Sequence, residues 1–185
     1  MEFNIVEPKC DRLKLLDAVH YICSRCDKSE LGNVKLHKIL YFADMLHFAT
    51  SGKPLTGVQY LKQRFGPCAR QLSSVVEELG RKGDLVIQRR DYFGFEKVDY
   101  EAVTKPKSER LGNLGLSILD DVIEFVCRRS AREISELSHN AAWEAVNFGE
   151  VIHYDTAFWL QPVEVTDADV AFAESELNRN PAFAA

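Results

Sequence analysis

The run Val34-Lys35-Leu36-His37-Lys38-Ile39-Leu40-Tyr41-Phe42-Ala43-Asp44 decides how this 185-residue chain folds. Extended to Thr50, it spreads Leu36, Ile39, Leu40, Phe42, Ala43, Met45, Leu46, Phe48 and Ala49 round most of a helical circumference. A helix of that kind is central, with neighbours on several sides. Its polar remnant is a narrow strip of His37, Asp44 and His47, read as solvated or hydrogen-bonded, with Tyr41 beside it. Ser51-Gly52 supplies a C-terminal stop, and Pro54 prevents continuation.

Upstream, a first helix is predicted from about Asp11 to Asp27. Asp11 is its N-cap, and Leu15, Leu16, Val19, Ile22, Cys23 and Cys26 form one apolar face. Ser29 to Asn33 reads as a turn, with Gly32 free to take positive φ and Asn33 placed to cap the central helix. Downstream, Val58 to Lys62 alternates as a short strand, and Gly66-Pro67 opens a third helix with the stripe Leu72, Val75, Val76 and Leu79. Leu85–Arg90 and Phe93–Val98 form two strands joined by a turn around Asp91-Tyr92. The succession helix, strand, helix, hairpin has some likeness to winged-helix modules.

After the polar connection Thr104–Ser108, a long helix over about 109–129 turns Leu114, Ile118, Val122, Phe125 and Val126 inward. Short helices follow at about 131–138 and 141–148, and a last one begins after Thr166, with Asp167 and Asp169 in its first turn. Residues 181–185 are expected to fray. The predicted class is therefore mainly α with a small antiparallel β-hairpin or sheet (α+β), a helical bundle packed around the central helix. Residues 1–155 form the domain, and 156–185 a C-terminal extension.

Composition narrows the function. Apolar residues make up 46% and charged ones 28%, which is globular rather than disordered usage. No apolar run approaches the ~20 residues of a membrane span. Residues 1–11 lack a basic-then-apolar signal layout, and five scattered cysteines are an odd count, so reduced thiols and a cytoplasmic location are expected. Cys23-Ser-Arg-Cys26 has metal or redox spacing, but both sulfurs fall on the apolar stripe, and no second pair completes four ligands. The net charge of −5 is divided: residues 1–90 hold 15 Lys/Arg against 10 Asp/Glu, and 91–185 hold 8 against 18. Opposite poles can steer a partner or orient a homodimer.

No enzyme signature emerges. The pairs Asp120-Asp121 and Glu77-Glu78 diverge by about 100° on a helix and cannot share a proton. Ser73-Ser74 has no nucleophile-elbow glycines, and neither GxGxxG nor a phosphate-binding GxxxxGK[ST] is present. His37, Asp44 and His47 stand at i, i+7 and i+10 without the i, i+4 pair of a zinc helix, so no metal or cofactor is expected.

Four segments occur in order: the run 34–44, Ser51-Gly52-Lys53-Pro54-Leu55, Arg64-Phe65-Gly66-Pro67, and Leu137-Ser138-His139-Asn140-Ala141-Ala142-Trp143. Together they resemble the Panacea, or SocA-like antitoxin, domain of bacterial and phage type II toxin–antitoxin systems, over roughly residues 11 to 155. Cys68 departs from the small aliphatic residue usual after the Gly-Pro, and the segment beyond Asp155 has no counterpart. The resemblance implies an antitoxin that neutralises a cognate toxin protein by direct contact, the toxins being diverse and including some similar to small alarmone synthetases.

On that footing Tyr41, Arg64, Phe65, Arg70, Arg89, Arg90 and Trp143 are the toxin-binding candidates. The basic stretch 53–90 is the docking face, and Arg64 stands at the base of the third helix. Each has a plain alternative: Tyr41 tying two helices, Arg64 an ordinary surface cation, Trp143 a core aromatic. The rival function is DNA binding, with the helix over 67–81 in a major groove and Arg89-Arg90 on phosphates, against which Glu77 and Glu78 would repel the backbone.

Overall fold

A computed structural model describes residues 8–92 and 94–160. The predicted helix after Thr166 and the fraying end lie outside the described residues. Helix α1 (Arg12–Arg25) starts as its sequence predicts: the Asp11 carboxylate accepts from the N–H groups of Leu13 and Lys14, each at 3.1 Å. Helix α2 (Asn33–Ser51) starts one residue early, because Asn33 does not cap. Its side-chain oxygen instead accepts the Tyr100 hydroxyl at 3.1 Å. Gly32 precedes the helix in an extended conformation, not at positive φ. Gly52 closes α2 in the left-handed region, its N–H donating to Phe48 O.

Strands β1 (Tyr60–Gln63) and β2 (Gly66–Ala69) form a tight antiparallel hairpin, and β5 (Val151–Ile152) adds to the other side of β1, giving the order β2-β1-β5. Gly66-Pro67 therefore opens a strand, and helix α3 (Leu72–Lys82) begins five residues after Pro67. Proline's fixed φ suits an edge strand as well as a first helical turn, and packing decides between them. Strands β3 (Leu85–Tyr92) and β4 (Phe95–Ala102) form the second hairpin. Asp91 and Tyr92 lie in β3 rather than in the turn, paired with Glu96 and Phe95, and Gly94, at φ 81°, has its N–H held by the Asp91 carboxylate.

A 3-10 turn (Glu109–Leu111) leads into helix α4 (Gly112–Cys127), followed by α5 (Ala131–Leu137), α6 (Ala141–Glu144) and a 3-10 segment (Tyr154–Leu160). Helix α4 buries Val122 and Val126 as predicted, with Ile118 partly buried, but its inner face is rotated toward Leu119 and Ile123. Leu119, Val122, Ile123 and Val126 are buried, while Leu114 and Phe125 are 42% and 41% exposed. Gly115 fixes that rotation, since a Cβ there would stand 2.5 Å from a methyl of Leu55.

Helix α2 is the axis. It touches α1, α4, α5, β2, β4 and the 154–160 segment, and Leu36, Ile39, Leu40, Tyr41, Ala43 and Met45 are buried along it. The molecule is thus mainly helical with small antiparallel sheets around a central helix. Among the described residues, no helix is long and apolar enough to cross a membrane.

Candidate protein-interaction surface

Burying α2 on all sides forces its polar side chains inward, where each must find a partner. Lys35, His37, Lys38 and Asp44 are all buried. Of the strip, His37 and Asp44 are therefore hydrogen-bonded in the interior, while His47 is only half-buried. Asp44, with no exposure, accepts the Thr56 N–H and hydroxyl and the Tyr60 hydroxyl, each at 2.6 Å, and the Gly57 N–H at 3.4 Å. Burial pushes its carboxyl upward, against the pull of these donors. His47 turns elsewhere, its Nδ1 lying 2.6 Å from Lys53 O, so the three members of the strip serve three separate bonds.

His37 and Lys38 read the outer edge of β2. Strand β1 takes the inner edge, leaving Pro67 O and Ala69 N–H facing α2. Lys38 Nζ donates to Pro67 O at 2.8 Å, and Ala69 N–H donates to His37 Nδ1 at 3.0 Å. That donated hydrogen places the imidazole proton on Nε2, which lies 3.5 Å from Cys68 Sγ. Burial, with the Lys38 charge adding, lowers His37 to about 4, and burial lowers Lys38 to about 8. Gly66, at φ 92°, sits against this node, and a Cβ there would fall 2.1 Å from Ser138 Oγ and 2.9 Å from Lys38 Nζ. Three of the four segments thus meet in the interior: Lys38, Gly66-Pro67 and Ser138 hold β2 against α2 and α5.

Above this floor the hairpin ends in Arg64 and Phe65. Phe65 is 58% exposed, with the Arg64 guanidinium 5.5 Å from its ring centre. Ser135 Oγ donates to Phe65 O at 3.0 Å and pins the tip to α5. Trp143 Nε1 donates to Gln63 O at 3.2 Å, tying α6 to the same hairpin. The indole stacks on His139 at 4.1 Å and carries Lys62 Nζ 4.0 Å from its ring centre. Lys62 Nζ donates onward to Val146 O at 2.7 Å. Phe148, 66% exposed, meets Trp143 edge-on at 5.9 Å. Burial, then the Lys38 charge, lowers the pKa of His139.

Of the predicted site residues, the fold gathers Arg64, Phe65 and Trp143. Arg64 stands on a hairpin tip, not at the base of a helix. Tyr41 has no exposure: its ring packs edge-on to Tyr60 at 5.3 Å, so it supports the surface from within and is out of a partner's reach. Burial pushes its hydroxyl up to about 12, with the Asn140 side chain beside it pulling the other way. Arg70 lies at the far end of β2, bonded to Gln59 Oε1 at 3.0 Å. Arg89 and Arg90 stand on the second hairpin, paired with Glu96 at 3.2 Å and Asp99 at 2.9 Å.

The basic stretch 53–90 is thus shared between two hairpins. Sequence reasoning passed over Lys62, His139 and Phe148. The alternation of β1 and the quoted Ser138-His139 pair were the available signals. An apolar groove of about 580 Å3 between α2, α4 and the 154–160 segment adds Leu46, Phe125 and Trp159 to the exposed apolar surface.

Phe65 and Phe148 are thus exposed above a hydrogen-bonded floor, with Trp143 half-buried and Lys62 buried between the hairpin and α6. Residues 36–144 match the family described as antitoxin SocA-like, Panacea domain, more than half of the chain, and the chain belongs to that family. The matched span runs from the first turn of α2 to the last residue of α6 and contains the whole Lys38–Gly66–Ser138 node. No curated protein and no solved structure matches the chain.

Proposed function

We propose that this protein is an antitoxin that binds a cognate toxin protein directly, through the surface formed by Arg64, Phe65, Trp143 and Phe148, with buried Lys62 supporting the Trp143 ring. Family membership supports the antitoxin role, and one observation carries the placement. Arg64 and Phe65 are held on a hairpin tip pinned from below at Phe65 O and Gln63 O, beside Trp143 and the exposed Phe148 ring, with buried Lys62 against the indole. Arginine and large aromatics dominate binding energy at interfaces, and a pinned backbone loses little entropy on docking. Neutralisation is then a matter of steric and electrostatic complementarity, with no catalytic step.

Co-expression with the protein encoded by the adjacent reading frame tests both parts. The wild-type chain relieves growth arrest by that protein. Arg64→Glu with Phe65→Ala removes two contacts of about 2 kcal/mol each, lowering rescue by about a hundredfold or more, with circular dichroism unchanged. Full rescue by the double variant would discard this surface. Continued arrest with the wild-type chain would discard the antitoxin role.

DNA binding remains the second reading, supported by the succession of α3 and the β3–β4 hairpin. Glu77 is exposed on α3, and the hairpin arginines are already paired with carboxylates, which disfavours phosphate contact. Gel shifts with upstream DNA at two salt concentrations separate the readings, because phosphate neutralisation gives a steep salt slope.

A further inference from the structure

The fold splits the Cys23-x-x-Cys26 pair. Cys23 enters the core, while Cys26, the C-cap of α1, is half-buried with its sulfur 3.4 Å from that of Cys127. Cys127 is the last residue of α4, 101 positions away, and is also half-buried. A disulfide is about 2.05 Å long, so closure needs an approach of only about 1.4 Å. Both thiols belong to helix ends, where the backbone yields more readily than in a helix interior.

The surroundings make the two sulfurs unequal. Lys35 Nζ donates to Cys127 O at 3.4 Å and faces Glu30 at the same distance. The Cys26 hydrogen bond, and then the Lys35 charge, lower Cys127 to about 7 against burial and Glu30. Cys26 moves the other way, raised by its bond to Cys127, by burial and by nearby Cys23. Cys127 is the more acidic thiol of the pair and Cys26 the less acidic.

We propose that Cys26 and Cys127 are an oxidative modification site that takes a hydroperoxide as two-electron oxidant and closes to a disulfide joining α1 to α4. The Cys127 thiolate attacks the outer peroxide oxygen, forming an S–O bond as the O–O bond breaks, and the alcohol or water leaves after protonation. Cys26 sulfur then attacks the sulfenic sulfur of Cys127. The S–S bond forms, the S–O bond breaks, and the departing hydroxide takes the Cys26 proton as water. Two thiols have lost two electrons, and one peroxide has become one alcohol and one water. The bridge encloses α2 and both hairpins in one covalent loop.

The test treats the full chain with hydrogen peroxide, alkylates the remaining thiols and maps tryptic peptides. The expected product links Cys26–Lys28 to Leu111–Arg128, is lost with dithiothreitol and in Cys26→Ser, and persists in Cys23→Ser. The oxidised monomer melts about 5–10 °C above the reduced one, as a long closed loop requires. A peptide joined through Cys23, a disulfide between chains, or a Cys127 sulfinic acid without a linked peptide would each overturn the assignment. The wild-type map decides the matter even where a serine variant folds poorly.

Discussion

The two hairpins make an instructive pair. Both are antiparallel, and both carry arginines from the basic stretch of the sequence. The β1–β2 hairpin has four-residue strands whose outer groups are held by α2 side chains and by β5, and whose tip is tied to α5 and α6. The β3–β4 hairpin has eight-residue strands that bury Val98 and Tyr100 at one end and close their own charges, Arg89 with Glu96 and Arg90 with Asp99. Arg64, by contrast, lies over an aromatic ring. Basic residues thus differ in what they offer a partner: one hairpin has spent its arginines on its own carboxylates, while the other holds Arg64 over the exposed Phe65 ring.

The largest expected difference lies in the turn glycines. Gly66→Ala combines a left-handed φ with a Cβ inside the Lys38–Ser138 node and should cost about 3 kcal/mol or more in urea unfolding. Gly94→Ala has the same sign of φ but open space, and should cost about 1 kcal/mol. Equal losses would mean that the first hairpin is not anchored as described.

Acid comes next. His37 titrates near 6.5 when unfolded and is lowered to about 4 in the fold, so the unfolded chain binds more protons between those values. Stability should therefore fall as pH drops from about 6.5 toward 4, by up to about 3 kcal/mol. His37→Gln should flatten that slope. The difference between the two proteins isolates the imidazole from Asp44, whose raised carboxyl titrates with the opposite sign. A slope unchanged in the variant would remove His37 as the link between α2 and β2.

The smallest effect belongs to the second hairpin. Arg89 and Glu96 are exposed, and Arg89→Ala should shift stability by about 0.5 kcal/mol or less while leaving toxin rescue intact. Lost rescue with Arg89→Ala would move the docking face from the first hairpin to the second.

Much of this fold was legible in the sequence because it rests on local chemistry. The Asp11 cap, the Gly52 stop and the all-round apolar α2 each follow from a few neighbouring residues. Where the reading failed, a distant partner decided. Pro67 is compatible with a helix start or an edge strand, and Lys38, 29 residues earlier, selects the strand by taking its carbonyl. Helix α4 carries large apolar residues such as Leu114 and Phe125 at the edges of its buried stripe, and the close approach of Leu55 to Gly115 sets the rotation.

The site divides in the same way. Arg64, Phe65 and Trp143 were visible as residue types near turns. The burial of Tyr41, and the clustering of Lys62 and Phe148 about Trp143, depend on β5 and α6 coming back to β1. The Cys26–Cys127 pair had no sequence signal, since its members stand 101 positions apart and meet only once α1 and α4 pack.

Strand β2 is the outermost strand of its sheet, yet it is not an open template. Pro67 offers no N–H, and the polar groups that would invite another chain are occupied by a lysine and a histidine from inside the same molecule. A foreign strand therefore cannot zip onto this border to extend the sheet. Recognition there has to proceed through side chains, which confines it to partners of matching shape and protects crowded copies of this chain from joining edge to edge.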